Sequence, residues 1–328
     1  MKVVITGGSG FIGTNLIEEL RKNNELNILN LDISKPKIRS HDIFWKSCDI
    51  LNETKLKEIL GEFQPDFIYH LAARTDLGSD NIVDYKPNID GVRNIANISA
   101  NLESLRGIVF ISSMLVCSAG DKVKSLNQYN PPNAYGESKM HGEKIVLEFD
   151  WKNLNKNVVI LRPTSIWGPF FGSPYLDFFK RVMNNSYFHV GNKSTTKSFG
   201  YVGNIVNELI YYMNRNTKFY ELDILYLSDI NPISIELWAN KISFLSKSRK
   251  IIKVPYTAIW LAAKLGDLLK LFNINFPMYS YRLMNMTTSN VIDKKFISNH
   301  SKRGITELDR GIINTLNWIK SNESKKLI

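Results

Sequence analysis

The octapeptide T-G-G-S-G-F-I-G at residues 6 to 13 limits what this chain can fold into more than any other stretch. It follows a short apolar run, Val3 to Thr6, and opens an amphipathic segment over 12 to 22. The order is strand, glycine turn, helix. Glycines belong in such a turn because side chains would block its curvature and the close approach of a pyrophosphate. The helix N-terminus then offers N–H donors and the positive end of a dipole. Gly8, Gly10 and Gly13 fit G-x-G-x-x-G, and Gly7, Gly10 and Gly13 fit G-x-x-G-x-x-G, with Phe11 and Ile12 inside the turn. The next apolar run, Ile28 to Asp32, ends on an acid 19 residues after Gly13. A carboxylate there can accept both adenosine ribose hydroxyls and repels a 2′-phosphate, so the expected cofactor is NAD rather than NADP. Lys35, Lys37 and Arg39 lie close by and weaken that preference.

Downstream, apolar runs alternate with helical periodicity. Phe67 to Ala72, Ile108 to Ser112 and Val158 to Arg162 read as strands. Residues 52 to 60, 85 to 101 and 134 to 150 read as helices between them. That alternation predicts βαβ units in an α/β fold, a doubly wound parallel sheet with helices on both faces. After Pro163 the rhythm breaks, and 166 to 200 is rich in Gly, Pro and aromatics. Helical character returns at 203 to 214, 234 to 246, 256 to 272 and 306 to 320, with a short strand at Asp223 to Leu227. No repeat or flexible linker separates the halves, so the second half is expected to pack on the first.

Cys48 and Cys117 are far apart, and the five histidines have no ligand-like spacing, so neither a disulfide framework nor a metal site is expected. His70 reads as structural and His141 as facing away from any site. No signal peptide and no apolar run of about 18 residues is apparent, which points to a cytoplasmic protein without a transmembrane segment. The net charge is +11 with a pI near 9.4. Positive potential suits an acidic substrate, an anionic membrane surface or nucleic acid, and scattered lysines without aromatic interleaving disfavour the last. The stretch A-I-W-L-A-A-K-L-G-D-L-L-K-L-F at 258 to 272 has two readings. It suits a membrane surface, or a helix buried against the sheet domain or a partner subunit.

Residues 135 to 139 read Y-G-E-S-K. Tyrosine and lysine four apart share a helix face, which is often only an exposed pair. With the glycine turn and I-S-S at 111 to 113, the motifs resemble the extended short-chain dehydrogenase/reductase superfamily. The similarity is to its NAD-dependent epimerase/dehydratase branch, which acts mostly on nucleotide sugars. C-D-I (48 to 50), H-L-A-A (70 to 73), P-N-I-D-G (87 to 91) and R-P-T-S-I-W-G-P (162 to 169) extend the resemblance. It implies a Rossmann domain over 1–165, joined again by 200–228, and a smaller substrate-binding domain over 166–199 and 229–328. It implies Ser113, Tyr135 and Lys139 as catalytic residues. Asp49, Ile50, Leu71, Ala72, Ala73, Asn88, Tyr135, Lys139, Pro163 and Thr164 would line the cofactor, with Lys139 on the nicotinamide ribose. It also implies a homodimer through a four-helix contact that includes the Tyr135 helix.

An ammonium beside a phenol favours phenolate. Lys139, together with the positive charge of an oxidised nicotinamide, is therefore expected to lower the Tyr135 pKa from about 10 toward neutrality and make it a base. Ser113 would hold the substrate oxygen, and the cofactor would carry the hydride chemistry. Met114 and Leu115 stand where the branch's dehydratases carry an Asp-Glu pair, so elimination is disfavoured. A C4 epimerase remains, or a keto-sugar reductase with the same triad, in surface polysaccharide synthesis. A non-catalytic cofactor-binding regulator is the reading from another class. Lys197 stands where a diphosphate-gripping arginine is common, with Gly203-Asn204 in place of an acidic pair. Arg282, Arg74 and Thr75 are further substrate candidates, and Cys117 reads as a small core cysteine.

Overall fold

The apolar run after Met1 forms β1 (Lys2–Thr6), whose last four residues are buried. Its β-branched residues suit a strand covered on both faces. Val3 and Ile5 meet one core cluster and Val4 the other, as a period of two requires. Six more strands complete a sheet: β2 (Asn27–Asp32), β3 (Trp45–Ser47), β4 (Phe67–His70), β5 (Gly107–Ile111), β6 (Asn157–Pro163) and β7 (Leu222–Leu227). Their spatial order is β7-β6-β5-β4-β1-β2-β3, and every neighbouring pair is parallel. This computed structural model describes all residues except 122, 192–194, 216–221, 273, 275, 302–303 and 326–328.

The chain runs outward from β1 through β2 and β3, then returns to β4 on the other side of β1. The crevice past the carboxyl ends of β1 and β4 is therefore the topological switch point, where ligands bind in open α/β sheets. On one face lies α1 (Phe11–Leu20), and α6 (Val202–Asn214) packs beside it. On the other face lie α2 (Glu53–Phe63), α3 (Lys86–Asn101) and α4 (Ala134–Leu147). The remaining helices are α5 (Tyr175–Met183), α7 (Ile235–Ser246), α8 (Tyr256–Lys270), α9 (Ser280–Thr287) and α10 (Leu308–Lys325).

The parallel sheet and most elements follow the sequence reading, with informative differences. Strand β4 ends at His70, two residues early, because the chain leaves the sheet to pass the glycine turn. Helix α4 ends at Leu147 rather than 150. Of the elements labelled above, β3, α5 and α9 escape periodicity, as do the short two-stranded pairings of the second half. Helix α5 sits in an aromatic-rich stretch of modest helix propensity. Tertiary burial decides it: Phe179 is fully buried, 5.5 Å from the Trp238 ring and 5.8 Å from Trp167. Through these aromatics one core cluster continues from β1 to Ile312 and Leu316 of α10. Helix α8 does not pack on the sheet domain, one of the places the sequence reading offered for it. It buries Ile259, Ala263 and Gly266, and the first two join Val190, Met278 and Leu283. Its other side is exposed. Among the described residues no helix is long and apolar enough to cross a membrane.

Candidate active site

At the switch point the glycine turn is held by backbone. The Gly7 N–H donates to the Leu31 carbonyl at 2.8 Å, and the Gly10 N–H to the Gly7 carbonyl at 3.0 Å. Gly7 has a φ of +75°, and a Cβ there would lie 2.6 Å from the Ala72 backbone nitrogen. The turn thus presses directly on the chain leaving β4. Helix α1 begins at Gly10 without a side-chain cap and without an acid in its first turn. The N–H groups of Phe11, Ile12 and Gly13 have no partner within the helix, so this end suits an anion. Gly7→Ala should cost about 1–3 kcal/mol from the backbone alone, read as a lowered melting temperature. An unchanged Tm would mean that the turn is not held as the structure has it.

The acid at the end of β2 behaves as an anchor. Asp32 accepts from the Ser9 N–H at 3.0 Å and the Ser34 N–H at 2.8 Å, and a carboxylate has lone pairs to spare for hydroxyl donors. Lys37 turns its ammonium to the Phe170 carbonyl at 3.1 Å. Burial lowers the Lys37 pKa, and the Asp32 charge opposes that shift. Asp49 is exposed and accepts from the Leu51 N–H at 2.9 Å, while Ile50 is buried. Leu71, Ala72 and Ala73 run half-buried past the turn, with the Ala72 N–H 3.3 Å from the Thr6 hydroxyl.

Four polar side chains converge beyond β4 and β5. Asn133 caps α4 by accepting from the Gly136 N–H at 2.8 Å, which sets Tyr135 in the helix's first turn. A Cβ at Gly136 would stand 2.1 Å from the Leu115 carbonyl oxygen, so only glycine lets α4 approach the segment after β5. Across that contact Ser113 lies close enough to Tyr135 to oppose the rise of its pKa, and it accepts from the Leu115 N–H at 3.1 Å. Lys139 donates to the Ile111 carbonyl at 2.8 Å. His70 is fully buried, shares a 2.8 Å hydrogen bond with Thr6 and leaves Nε2 without a partner. Burial, and then the Lys139 charge, push its pKa down to about 3, so it is a neutral imidazole at any working pH.

The electrostatics differ from the expectation that Lys139 lowers the Tyr135 pKa. Burial raises it, and the nearby Ser113 hydroxyl opposes the rise. The spacing of four does put both residues on one face, but the Lys139 ammonium is drawn to the end of β5. Burial lowers the Lys139 pKa to about 8, with Glu143 acting against it. The lysine is thus charged at neutral pH and loses its charge as pH rises through about 8.

Beneath these residues lies a buried ion pair absent from the sequence reading. Arg162 of β6 donates through Nε to Glu143 Oε1 at 2.8 Å and through Nη2 to Oε2 at 2.7 Å. Both side chains are essentially inaccessible. The Tyr129 hydroxyl donates to the same carboxylate at 2.9 Å, and Arg162 Nη2 also donates to the Leu126 carbonyl at 2.8 Å. The available signal was opposite charges in otherwise apolar elements, with Glu143 four residues after Lys139.

The other residues singled out from sequence divide. Asn88 is a brace: it accepts from the Arg74 N–H, donates to the Arg74 carbonyl and donates to Ser138, each at 2.9 Å. Pro163 ends β6, and the Thr164 N–H donates to the Leu227 carbonyl at 3.1 Å. The Arg74 guanidinium is held within its own loop by Asp76 at 2.8 Å and by the Asp84 carbonyl, while Thr75 is exposed. Lys197 meets α9 instead, and Arg282 is part of that helix. Lys197 donates to the Asn285 carbonyl at 2.7 Å, and Arg282 to the Pro277 carbonyl at 2.7 Å. Asn204 bonds Asp229 and Thr306 beside a cavity of about 300 Å³. Burial raises the Asp229 pKa to about 6. Cys117 is buried and donates to the Gln128 carbonyl at 3.1 Å. Among the described residues, no three His, Cys, Asp or Glu side chains gather as a metal site.

The chain is similar to known proteins. The chain is 25% identical over 322 residues to N-acetyl-alpha-D-glucosaminyl-diphospho-ditrans,octacis-undecaprenol 4-epimerase of Escherichia coli O157:H7. That match covers 96% of this chain and 94% of that protein. It is 28% identical over 176 residues to UDP-glucose 4-epimerase of Vibrio cholerae, covering 51% of this chain and 52% of that protein. The fold superposes on UDP-glucuronic acid 4-epimerase from Bacillus cereus, solved with UDP-glucuronic acid and NAD. There the TM-score is 0.72 and the identity 18%, over 98% of this chain and all of that one. Residues 3–222 match one family as a whole, and they include the glycine turn, Ser113, Tyr135 and Lys139. The chain is a member of the NAD-dependent epimerase/dehydratase family, an enzyme family of the extended short-chain dehydrogenase/reductase type.

Proposed function

We propose that this protein is an NAD-dependent 4-epimerase of a diphosphate-linked sugar. The observation that carries the reading is the convergence of Ser113, Tyr135 and Lys139 next to an uncapped α1 N-terminus. The pyrophosphate would sit over the N–H groups of Phe11, Ile12 and Gly13, with Asp32 toward the adenosine ribose and Asn88, Pro163 and Thr164 lining the far end. Bound there, NAD supplies acceptance and return of a hydride.

Tyr135 takes the proton of the sugar hydroxyl and returns it to the oxygen after the sugar turns. Its buried phenol holds its proton firmly, so it is a ready acid for a keto oxygen. The Lys139 ammonium, held at the Ile111 carbonyl, adds positive charge to the end of β5 rather than acting on the phenol directly. Ser113 holds the substrate oxygen against the phenol. His70, neutral and buried, fills the floor without competing for the proton. Met114 and Leu115 flank Ser113 on the side away from β5, and neither can move a proton, which disfavours elimination. A full-length relative named for 4-epimerisation at a diphospho-linked sugar supports the same reaction.

The test is a panel of diphosphate-linked hexoses, both nucleoside- and polyprenol-linked, incubated with purified protein. Formation of the C4 epimer with no net change in reduced nicotinamide is expected. Stoichiometric consumption of nicotinamide with each turnover would replace the epimerase with a keto-sugar reductase.

A further inference from the structure

Helix α8 is apolar on both sides. Its inner residues Ile259 and Ala263 are buried, yet Trp260, Leu261, Leu265 and Leu268 are 44–62% exposed. Leu271 and Phe272, just past its end, are 78% and 69% exposed, and Ile274 follows at 52%. At 3.6 residues per turn, Trp260, Leu261, Lys264, Leu265, Leu268, Leu271 and Phe272 fall within an arc of about 140°. A helix that is hydrophobic all round is normally covered, and a contiguous exposed apolar patch marks a binding surface.

The charge around the patch says what covers it. Between residues 237 and 292 there are eight basic residues and one acid, Asp267. This short segment therefore carries more than half of the chain's net charge of +11. Lys247, Arg249, Lys250, Lys264 and Lys270 are all exposed, and Phe244 and Ile252 add exposed apolar side chains beside the first three. The one acid is occupied, accepting from the Ser280 N–H at 3.0 Å. A second copy of this chain would set basic segment against basic segment. An anionic bilayer matches both features: acyl chains for the stripe, headgroups for the lysines, and an interface for Trp260.

We propose that the outer face of α8, with Leu271, Phe272 and Ile274, seats on an anionic lipid bilayer. Helix α8 rests on α9, and α9 receives the Lys197 ammonium at the Asn285 carbonyl. The seat is thus one helix away from a candidate diphosphate-binding lysine. Its purpose rests on the proposed reaction: a diphosphate sugar carried on a polyprenol would be met at the surface where it resides. The seat itself does not depend on that reaction, so the two can fail separately.

The test is co-sedimentation with vesicles of phosphatidylcholine mixed with phosphatidylglycerol, compared with pure phosphatidylcholine. The protein is expected to bind the mixed vesicles at least about tenfold more tightly, and less so in high salt. Leu261→Asp/Leu268→Asp should lose that binding by at least about tenfold. Both positions are exposed, so its circular dichroism, Tm and turnover of soluble nucleotide sugars should match wild type. Absence of vesicle binding by wild type, or equal binding by the double variant, would overturn the proposal. So would a dimer in light scattering that the double variant converts to monomer without any change in lipid binding. Vesicle binding by a protein that epimerises no sugar would sink the proposed reaction and leave the seat standing.

Discussion

Tyr135→Phe is expected to lower turnover by about 10²–10⁴-fold, the usual worth of a positioned proton-transfer group. Nearly everything else should survive. The ring is buried and meets Tyr85 edge-on, with centroids 6.0 Å apart, and phenylalanine keeps that contact. Only the hydroxyl facing Ser113 is lost, and Ser113 retains its Leu115 partner. No part of the glycine turn or of Asp32 touches the substitution. NAD binding, followed by fluorescence quenching or calorimetry, should therefore match wild type, as should the melting temperature. Full turnover in this variant would remove Tyr135 from the proton path. Lost NAD binding together with lost turnover would instead make the residue a part of the cofactor cradle.

Arg162→Met should cost about 3–5 kcal/mol, because it strands the Glu143 carboxylate where no water reaches it. The lost partner is bidentate, and Tyr129 alone remains to donate to the carboxylate. In a chain of this size the expected fall in Tm is on the order of 10 °C. Replacing both members, as in Glu143→Leu/Arg162→Met, removes the stranded charge and should restore much of the loss. A single variant as stable as wild type would show that the carboxylate is not confined as the structure has it. The pair also bears on the site. Glu143 is the group that holds the Lys139 pKa up against burial, so the double variant should lose Lys139 charge at a lower pH. The activity limb governed by that charge would move down, a change that a merely structural pair would not produce.

The catalytic candidates were legible because they lie in short local motifs. T-G-G-S-G-F-I-G carries its own geometry: one residue at positive φ, then an uncapped helix. Y-G-E-S-K carries the helical spacing. The parallel sheet was legible because its strands are continuous β-branched runs, which only a doubly covered strand needs. What the motifs could not state was direction. Lys139 lies on the expected face, yet its ammonium reaches Ile111 rather than the phenol. Arg74 follows the expected strand, yet its own loop captures its guanidinium. Helix α5 was hidden because its helicity comes from aromatic burial, not from periodicity.

By itself, then, the sequence determined the dinucleotide-binding crossover and the alternation of strands and helices that gives a parallel sheet, and it nominated Ser113, Tyr135 and Lys139 as catalytic candidates. Those features depend on residues within a few positions of one another, or on patterns repeated along one element. Tertiary structure alone decided the Glu143–Arg162 clamp, the burial that raises the Tyr135 pKa and the uncovered face of α8. Each depends on which distant segments meet: β6 with α4, α4 with the end of β5, and α9 with only one side of α8. Desolvation and exposure are properties of that meeting and are not written in any one stretch of chain.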